Sequence, residues 1–215
     1  NFQRNLQIVS EETGIDPQNF IIPFQTHEDK ILMIDEDFFK LSDEIKKKKL
    51  LGIDAIITKQ KNICIGVTTA DCVPILLYDA TKKAIAVVHA GWRGTCARLV
   101  EKTINQMQRA FGSNPRNLYA LLGPSISPEA YEVGKELIEP FNIAGFDIDK
   151  IFKEKNGKQF LNLWEANRQL LIISGVPGSQ IQISGICTYT EYKDFFSARR
   201  FGINSGRMLS GIMLK

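Results

Sequence analysis

TTADCVPILLYDATKKAIAVVHAGWRGT, residues 68–95, sets two apolar runs around a short polar turn. VPILLYD and AIAVVH are rich in β-branched and aliphatic residues, as strands are, and the segment from Asp79 to Lys83 between them carries turn residues. So short a connection favours antiparallel pairing, because a parallel crossover needs a dozen or more residues. In such a hairpin the residue just before the first strand and the residue ending the second lie at the same end of the sheet. Those residues are Cys72 and His89, which become neighbours. Beyond His89, two glycines flank Trp92-Arg93 before a helical pattern begins.

That helix is expected to start near Thr95, with Cys96, Leu99, Val100, Ile104, Met107 and Phe111 on one face and Gly112 as its stop. Upstream, the first fifteen residues read as a helix ended by Gly14, and FIIPFQTH reads as a strand running into a loop at His27. A second helical piece ends near Gly52, and the strands DAIITK and NICIGVTT follow. Downstream come a strand at LYALLG, then GPSISPEAYEVG, where Ser127 would cap a helix with Pro128 at its first position. The remainder reads as strand QFLNL, helix WEANRQLLIISG, strand IQISGICTY, an irregular DFFSARRFG and a last strand RMLSGIML. Strands in runs, with helices between some of them, imply an α+β layered domain.

The 215 residues suit one substantial core, and no repeat, low-complexity segment or linker divides them. Lys and Arg number 27 against 24 Asp and Glu, so neither nucleic acid nor an acidic membrane surface is implied as a partner. The run Lys46 to Lys49 reads as a solvated helix face. Four cysteines, at 64, 72, 96 and 187, have no short paired spacing, which argues against a disulfide framework and for a reducing, cytoplasmic setting. No stretch approaches the ~18 apolar residues of a membrane span. No protein partner is implied either.

The chain has two histidines, His27 and His89, and each closes a strand-like segment. A cysteine beside a histidine serves two chemistries. The histidine can take the thiol proton so that Cys72 attacks a carbonyl, as in an amidohydrolase or deamidase. Alternatively thiolate and imidazole ligate zinc, with a third ligand and one position left open, and His27 is then the obvious third. Asp71 stands next to Cys72 and could orient a ligand or handle a proton. Arg93, among glycines at a helix start, offers an anion site, and Arg199 in FFSARRFG offers a second cation.

Taken in order, QTH, TADCVPILL, HAGWRGT, GPSISPEAYEVG, LNLWEANRQLL to GICT, and FFSARR resemble the laccase-domain family over nearly the whole chain. Its members were first named multicopper polyphenol oxidases and are regarded as zinc-dependent purine nucleoside phosphorylases with adenosine deaminase activity. The resemblance implies an α/β/β/α sandwich with mixed, largely antiparallel sheets, in one domain spanning 1–215 that lacks part of the family's N-terminal segment. It places the metal triad on His27, Cys72 and His89, with zinc as the metal and copper accepted in vitro. Adenosine, inosine, methylthioadenosine and phosphate become the expected substrates. Two departures stand out: QTHEDK replaces the usual QVHG, and the SPEAYEVG segment lacks a cysteine common there. Two histidines cannot build a multicopper cluster, which sets phenol oxidation below phosphorolysis.

Overall fold

The computed structural model describes residues 2–202 and 204–215. In chain order the first elements are helix α1 (Phe2–Thr13), strands β1 (Phe20–Ile21) and β2 (Ile31–Ile34), and helices α2 (Glu36–Lys40) and α3 (Asp43–Lys49). Strands β3 (Ala55–Thr58), β4 (Cys64–Thr69), β5 (Val73–Asp79) and β6 (Ala84–Ala90) follow, then helices α4 (Trp92–Cys96) and α5 (Leu99–Phe111). Next come β7 (Leu118–Leu122), β8 (Glu132–Val133), α6 (Ile138–Ile143), α7 (Ile148–Ile151), β9 (Phe152–Lys155) and β10 (Lys158–Leu161). The last elements are α8 (Leu163–Ile173), β11 (Ile181–Ile183), α9 (Ala198–Phe201) and β12 (Met208–Met213).

The β5/β6 hairpin forms as its sequence demands, antiparallel with Val73 opposite Ala90 and Pro74 opposite His89. Asp79 fixes its turn by accepting the Thr81 and Lys82 amides, each at 2.9 Å. This hairpin is the centre of a six-stranded sheet of order β11-β7-β5-β6-β3-β2. A three-stranded sheet, β1-β4-β12, packs on one side of it, and a small sheet, β8-β10-β9, stands apart. Parallel pairs β1/β4, β2/β3 and β7/β11 join otherwise antiparallel ladders, so the fold is the expected α+β layered sandwich with mixed, largely antiparallel sheets.

Strand periodicity sorts β6 between two cores. Ala84, Ala86, Val88 and Ala90 face a core built with α5 and α8, whereas Ile85 and Val87 face the second sheet and meet Ile65 and Val67 of β4. Every β6 residue is therefore buried, which is why AIAVVHA lacks polar alternation. Helix α5 contributes Leu99, Val100, Ile104 and Met107, all fully buried and each worth roughly 1.5–3 kcal/mol relative to exposure. By the same alternation His89, two residues beyond Val87, points to the inter-sheet side, the side on which Cys72 emerges before β5.

Several expectations are corrected. The single helix from Thr95 is two helices, broken at Arg98, whose φ is +61°. Arg98 tolerates that conformation because its guanidinium bonds Glu101 and the Ala144 carbonyl, contacts no local propensity encodes. The helix start lies at Trp92, with Gly91 as N-cap. GPSISPEAYEVG forms only a single turn, in which the Ser127 carbonyl accepts the Ala130 and Tyr131 amides before β8 draws the chain into extended form. Of the strands read at FIIPFQTH and IQISGICTY only Phe20–Ile21 and Ile181–Ile183 are regular. Strand β2, pairing parallel with β3, and elements α6, α7 and β9 lie where no strand or helix was expected. The consecutive strands β3 and β4 do not pair; β4 crosses to the other sheet.

Candidate metal centre and cleft

His27, Cys72 and His89 converge. Their ligand-capable atoms all lie within 4.8 Å of one another, and the two imidazoles meet edge to face with ring centroids 4.7 Å apart. Ligands around a tetrahedral zinc stand roughly 3.3–3.8 Å apart by the ordinary bond lengths, so small side-chain rotations would close the triad on an ion. The donor set suits the metal: two imidazoles and a thiolate leave a fourth position for water or substrate.

A buried carboxylate that sequence reading did not single out holds this arrangement. Asp54 is fully buried and takes His89 Nδ1 at 2.7 Å on its Oδ1, which leaves Nε2 as the free nitrogen of that ring. The same carboxylate accepts three successive amides, from Thr26 (3.3 Å), His27 (3.1 Å) and Glu28 (2.8 Å). Three consecutive N–H groups around one anion form a nest, and this nest fixes His27 in a left-handed conformation, φ +63°. Burial pushes the Asp54 carboxyl up, but His89 and the amides outweigh it and hold it below the usual value. The one signal in the sequence was an acid standing directly before the short, mostly apolar strand AIIT.

The glycine after His89 has a steric purpose. Gly91 has an unremarkable φ of −73°, yet a Cβ there would sit 2.9 Å from Cys72 Sγ and 3.4 Å from His27 Cδ2. Gly94 lets α4 pack against the His89 carbonyl, 3.3 Å from where a Cβ would stand. Burial pushes the Cys72 thiol up, and the hydrogen bonds and charges of His27 and His89 overcome that, bringing it to about 6. Burial would lower His89, but Asp54 and Cys72 raise it to about 9. Without a metal, the centre is thus a thiolate beside an imidazolium.

The triad opens on a cleft of about 550 Å³ whose walls include Gln25, Thr68, Asp71, Tyr131, Arg199 and Arg207. Gln25 locks the His27 loop to β4, donating to the Thr68 carbonyl at 2.9 Å and accepting the Thr68 amide at 2.8 Å. Tyr131 was not foreseen; burial, then the Cys72 charge, raise its phenol to about 12, so it remains a hydrogen-bond donor at neutral pH. Arg199 lies with its guanidinium carbon 5.1 Å from the Tyr131 ring centre and donates to the Glu132 carbonyl at 2.7 Å. Arg207, also unforeseen, lies in the chain between α9 and β12 and donates to the Gly206 carbonyl at 3.0 Å. Arg93 is exposed and does not belong to the cleft wall; it stacks on Trp92, 4.5 Å from the ring centre, and its charge reaches Tyr131. Asp71, adjacent to Cys72 with φ +87°, has both carboxylate oxygens engaged, by the Thr188 hydroxyl and the Arg199 amide.

The family described as multi-copper polyphenol oxidoreductase laccase matches residues 1–215. A purine nucleoside phosphorylase of Bacteroides thetaiotaomicron is 44% identical over 214 residues, covering 99% of this chain and 79% of the relative. Adenosine deaminase RL5, from an unknown prokaryotic organism, is 41% identical over 206 residues, 95% of this chain and 78% of the relative. Among solved structures, the Bacillus licheniformis hypothetical protein YfiH superposes with a TM-score of 0.90 at 34% identity, over 99% of this chain and 80% of that one.

Proposed function

Because the chain belongs to the multi-copper polyphenol oxidoreductase laccase family, and its relatives include a purine nucleoside phosphorylase and an adenosine deaminase, we propose that it is an enzyme acting on purine nucleosides. In the finer reading it is a zinc-dependent phosphorylase of adenosine, inosine and methylthioadenosine that also deaminates adenosine. The observation that carries this reading is the Asp54-oriented triad opening on a cleft with two guanidinium groups and a protonated phenol. Such a site joins a metal's chemistry to an anion's.

His27, Cys72 and His89 would hold the metal, and zinc bound there supplies Lewis acidity towards water or a departing base. Copper would bind the same donors, since Cu(II) exceeds Zn(II) in raw affinity. Among the described residues the Arg199 guanidinium bonds only the Glu132 carbonyl, and with Arg207 it offers charge-assisted hydrogen bonds to phosphate. Tyr131 donates a proton-sharing hydrogen bond to a developing negative charge without itself ionising at neutral pH. Among the described residues no helix is long and apolar enough to cross a membrane, and the four unpaired cysteines support a reducing cytoplasm.

The test is phosphate-dependent release of base from adenosine, inosine and methylthioadenosine, with metal content measured on protein purified without added metal. We expect about one zinc per chain, lost together with activity in His27→Ala, Cys72→Ser and His89→Ala. The lowered Cys72 thiol favours one rival, a Cys-His amidohydrolase. Full activity in metal-free protein towards an amide, with no nucleoside turnover, would select it.

A further inference from the structure

Asp71 is placed where three cleft-forming segments meet. Its carbonyl accepts the Ile126 amide at 3.0 Å, at the head of the segment that carries Tyr131. Its Oδ1 accepts the Thr188 hydroxyl at 2.7 Å, and its Oδ2 accepts the Arg199 amide at 2.7 Å. The residue after it is Cys72. The side chain is 8% exposed and its backbone is left-handed at φ +87°, a conformation that asparagine and aspartate tolerate and that costs other residues more.

We propose that Asp71 is a positioning residue that clamps the backbone of Arg199 to the Cys72 loop, so that the guanidinium stands over the same cleft as the triad. A proton-transfer role fits the geometry poorly, because each oxygen already accepts a donor from the protein at 2.7 Å and Arg199 presents a backbone N–H that cannot be released. The pairing of β12 with β4, Met208 opposite Thr69, brings this segment, 128 residues downstream, near the Cys72 loop, and the clamp fixes it there. The Arg199 guanidinium is tied to the Glu132 carbonyl, and its helical turn is held internally by Ser197, whose hydroxyl and carbonyl accept the Arg200 and Phe201 amides, so Asp71 sets where that turn docks on the Cys72 loop. Loss of the carboxylate would therefore loosen the anion side of the cleft and leave the metal side, organised by Asp54, in place. The functional arm of this inference rests on Arg199 contacting phosphate as proposed above; the structural arm does not.

The variants are chosen so that positioning and proton transfer part company. In Asp71→Asn the amide oxygen can still accept the Arg199 N–H, and the Thr188 hydroxyl can turn to accept from the new NH2 group. Asp71→Ala removes both bonds, and Thr188→Val removes only the Thr188 bond and keeps the fold testable if the alanine variant does not fold. Two measurements are read: amide hydrogen exchange across residues 198–201, and the KM for phosphate beside the KM for nucleoside. In Asp71→Ala we expect exchange at Arg199 to rise about 10-fold or more and phosphate KM to rise about 10-fold, the scale of one lost charged hydrogen bond. Nucleoside KM and zinc content stay within about 3-fold, Asp71→Asn stays near the parent, and Thr188→Val falls between. Three results overturn the proposal: Arg199 exchange unchanged in Asp71→Ala, zinc lost with Asp71→Ala, or kcat abolished equally in the Asn and Ala variants, which identifies a proton-transfer group. If no phosphorolysis is found in the parent, the function proposed above fails, while the exchange data still decide the clamp.

Discussion

Gly91→Ala tests the claim that the metal centre dictates a glycine beside its cysteine. The backbone at Gly91, φ −73° and ψ 177°, is open to alanine, so the whole effect must come from the added methyl. That methyl would stand 2.9 Å from Cys72 Sγ, 3.4 Å from His27 Cδ2 and 3.9 Å from Cys72 Cβ. Ordinary contacts between such atoms are about 3.5–4.0 Å, so the sulfur and the methyl must separate by roughly 0.6 Å or more. Cys72 is half-buried at the cleft, beside a His89 ring bonded to Asp54 and a His27 whose backbone amide is held by the same carboxylate, so the sulfur can yield to the methyl only by shifting relative to the other two ligands. Overpacking of this size costs about 1–3 kcal/mol, and if the strain falls on the ligand it appears as a loss of about 10–100-fold in zinc affinity. Competition with a chromogenic chelator reads that affinity directly. Gly94→Ala is the control: its methyl would meet the His89 carbonyl at 3.3 Å and Leu99 Cδ2 at 3.5 Å, none of them a ligand atom, and should leave zinc affinity within about 3-fold. Parental zinc affinity in Gly91→Ala, or an equal loss in both variants, would refute the steric reasoning.

Asp54→Asn leaves at most one oxygen to serve four donors, so we expect a loss of roughly 2–4 kcal/mol in urea unfolding of the metal-free protein, together with weakened zinc binding; parental stability would show that the nest is dispensable. Arg199→Lys should raise phosphate KM about 10-fold, whereas Arg93→Lys, outside the cleft wall, should raise it less; the reverse order would move the anion site to the start of α4. Copper-loaded protein should oxidise phenols only slowly, because three converging ligands make a single-ion site, and tight binding of several coppers with efficient turnover would contradict this.

The parts of the site legible in the sequence are those set by local pairing. VPILLYD and AIAVVH are joined by four residues, Ala80 to Lys83, so their register, and with it the meeting of Cys72 and His89, follows from a short local closure of the chain. The amphipathic stripe of α5 and its stop at Gly112, φ +66°, were equally local. His27 could be named as third ligand only because histidines are so few and the motif order resembles a family. Its actual delivery depends on Asp54, 27 residues away, gathering three amides into a nest.

What the tertiary structure alone decided is where non-local partners overrule local preference. Nothing in NICIGVTT says that it leaves its neighbours to pair with β1 and β12, since its residues would suit either sheet. The break at Arg98 occurs in a stretch whose residues favour helix, and it is stabilised by the Ala144 carbonyl, 46 residues away. Tyr131 and Arg207 reach the cleft on segments whose paths depend on contacts made far along the chain, and Asp71 acquires its partners from residues 188 and 199. A sequence specifies hydrogen-bonding appetite residue by residue, but a buried carboxylate's donors come from whatever packing brings within about 3 Å, and that selection belongs to the assembled layers.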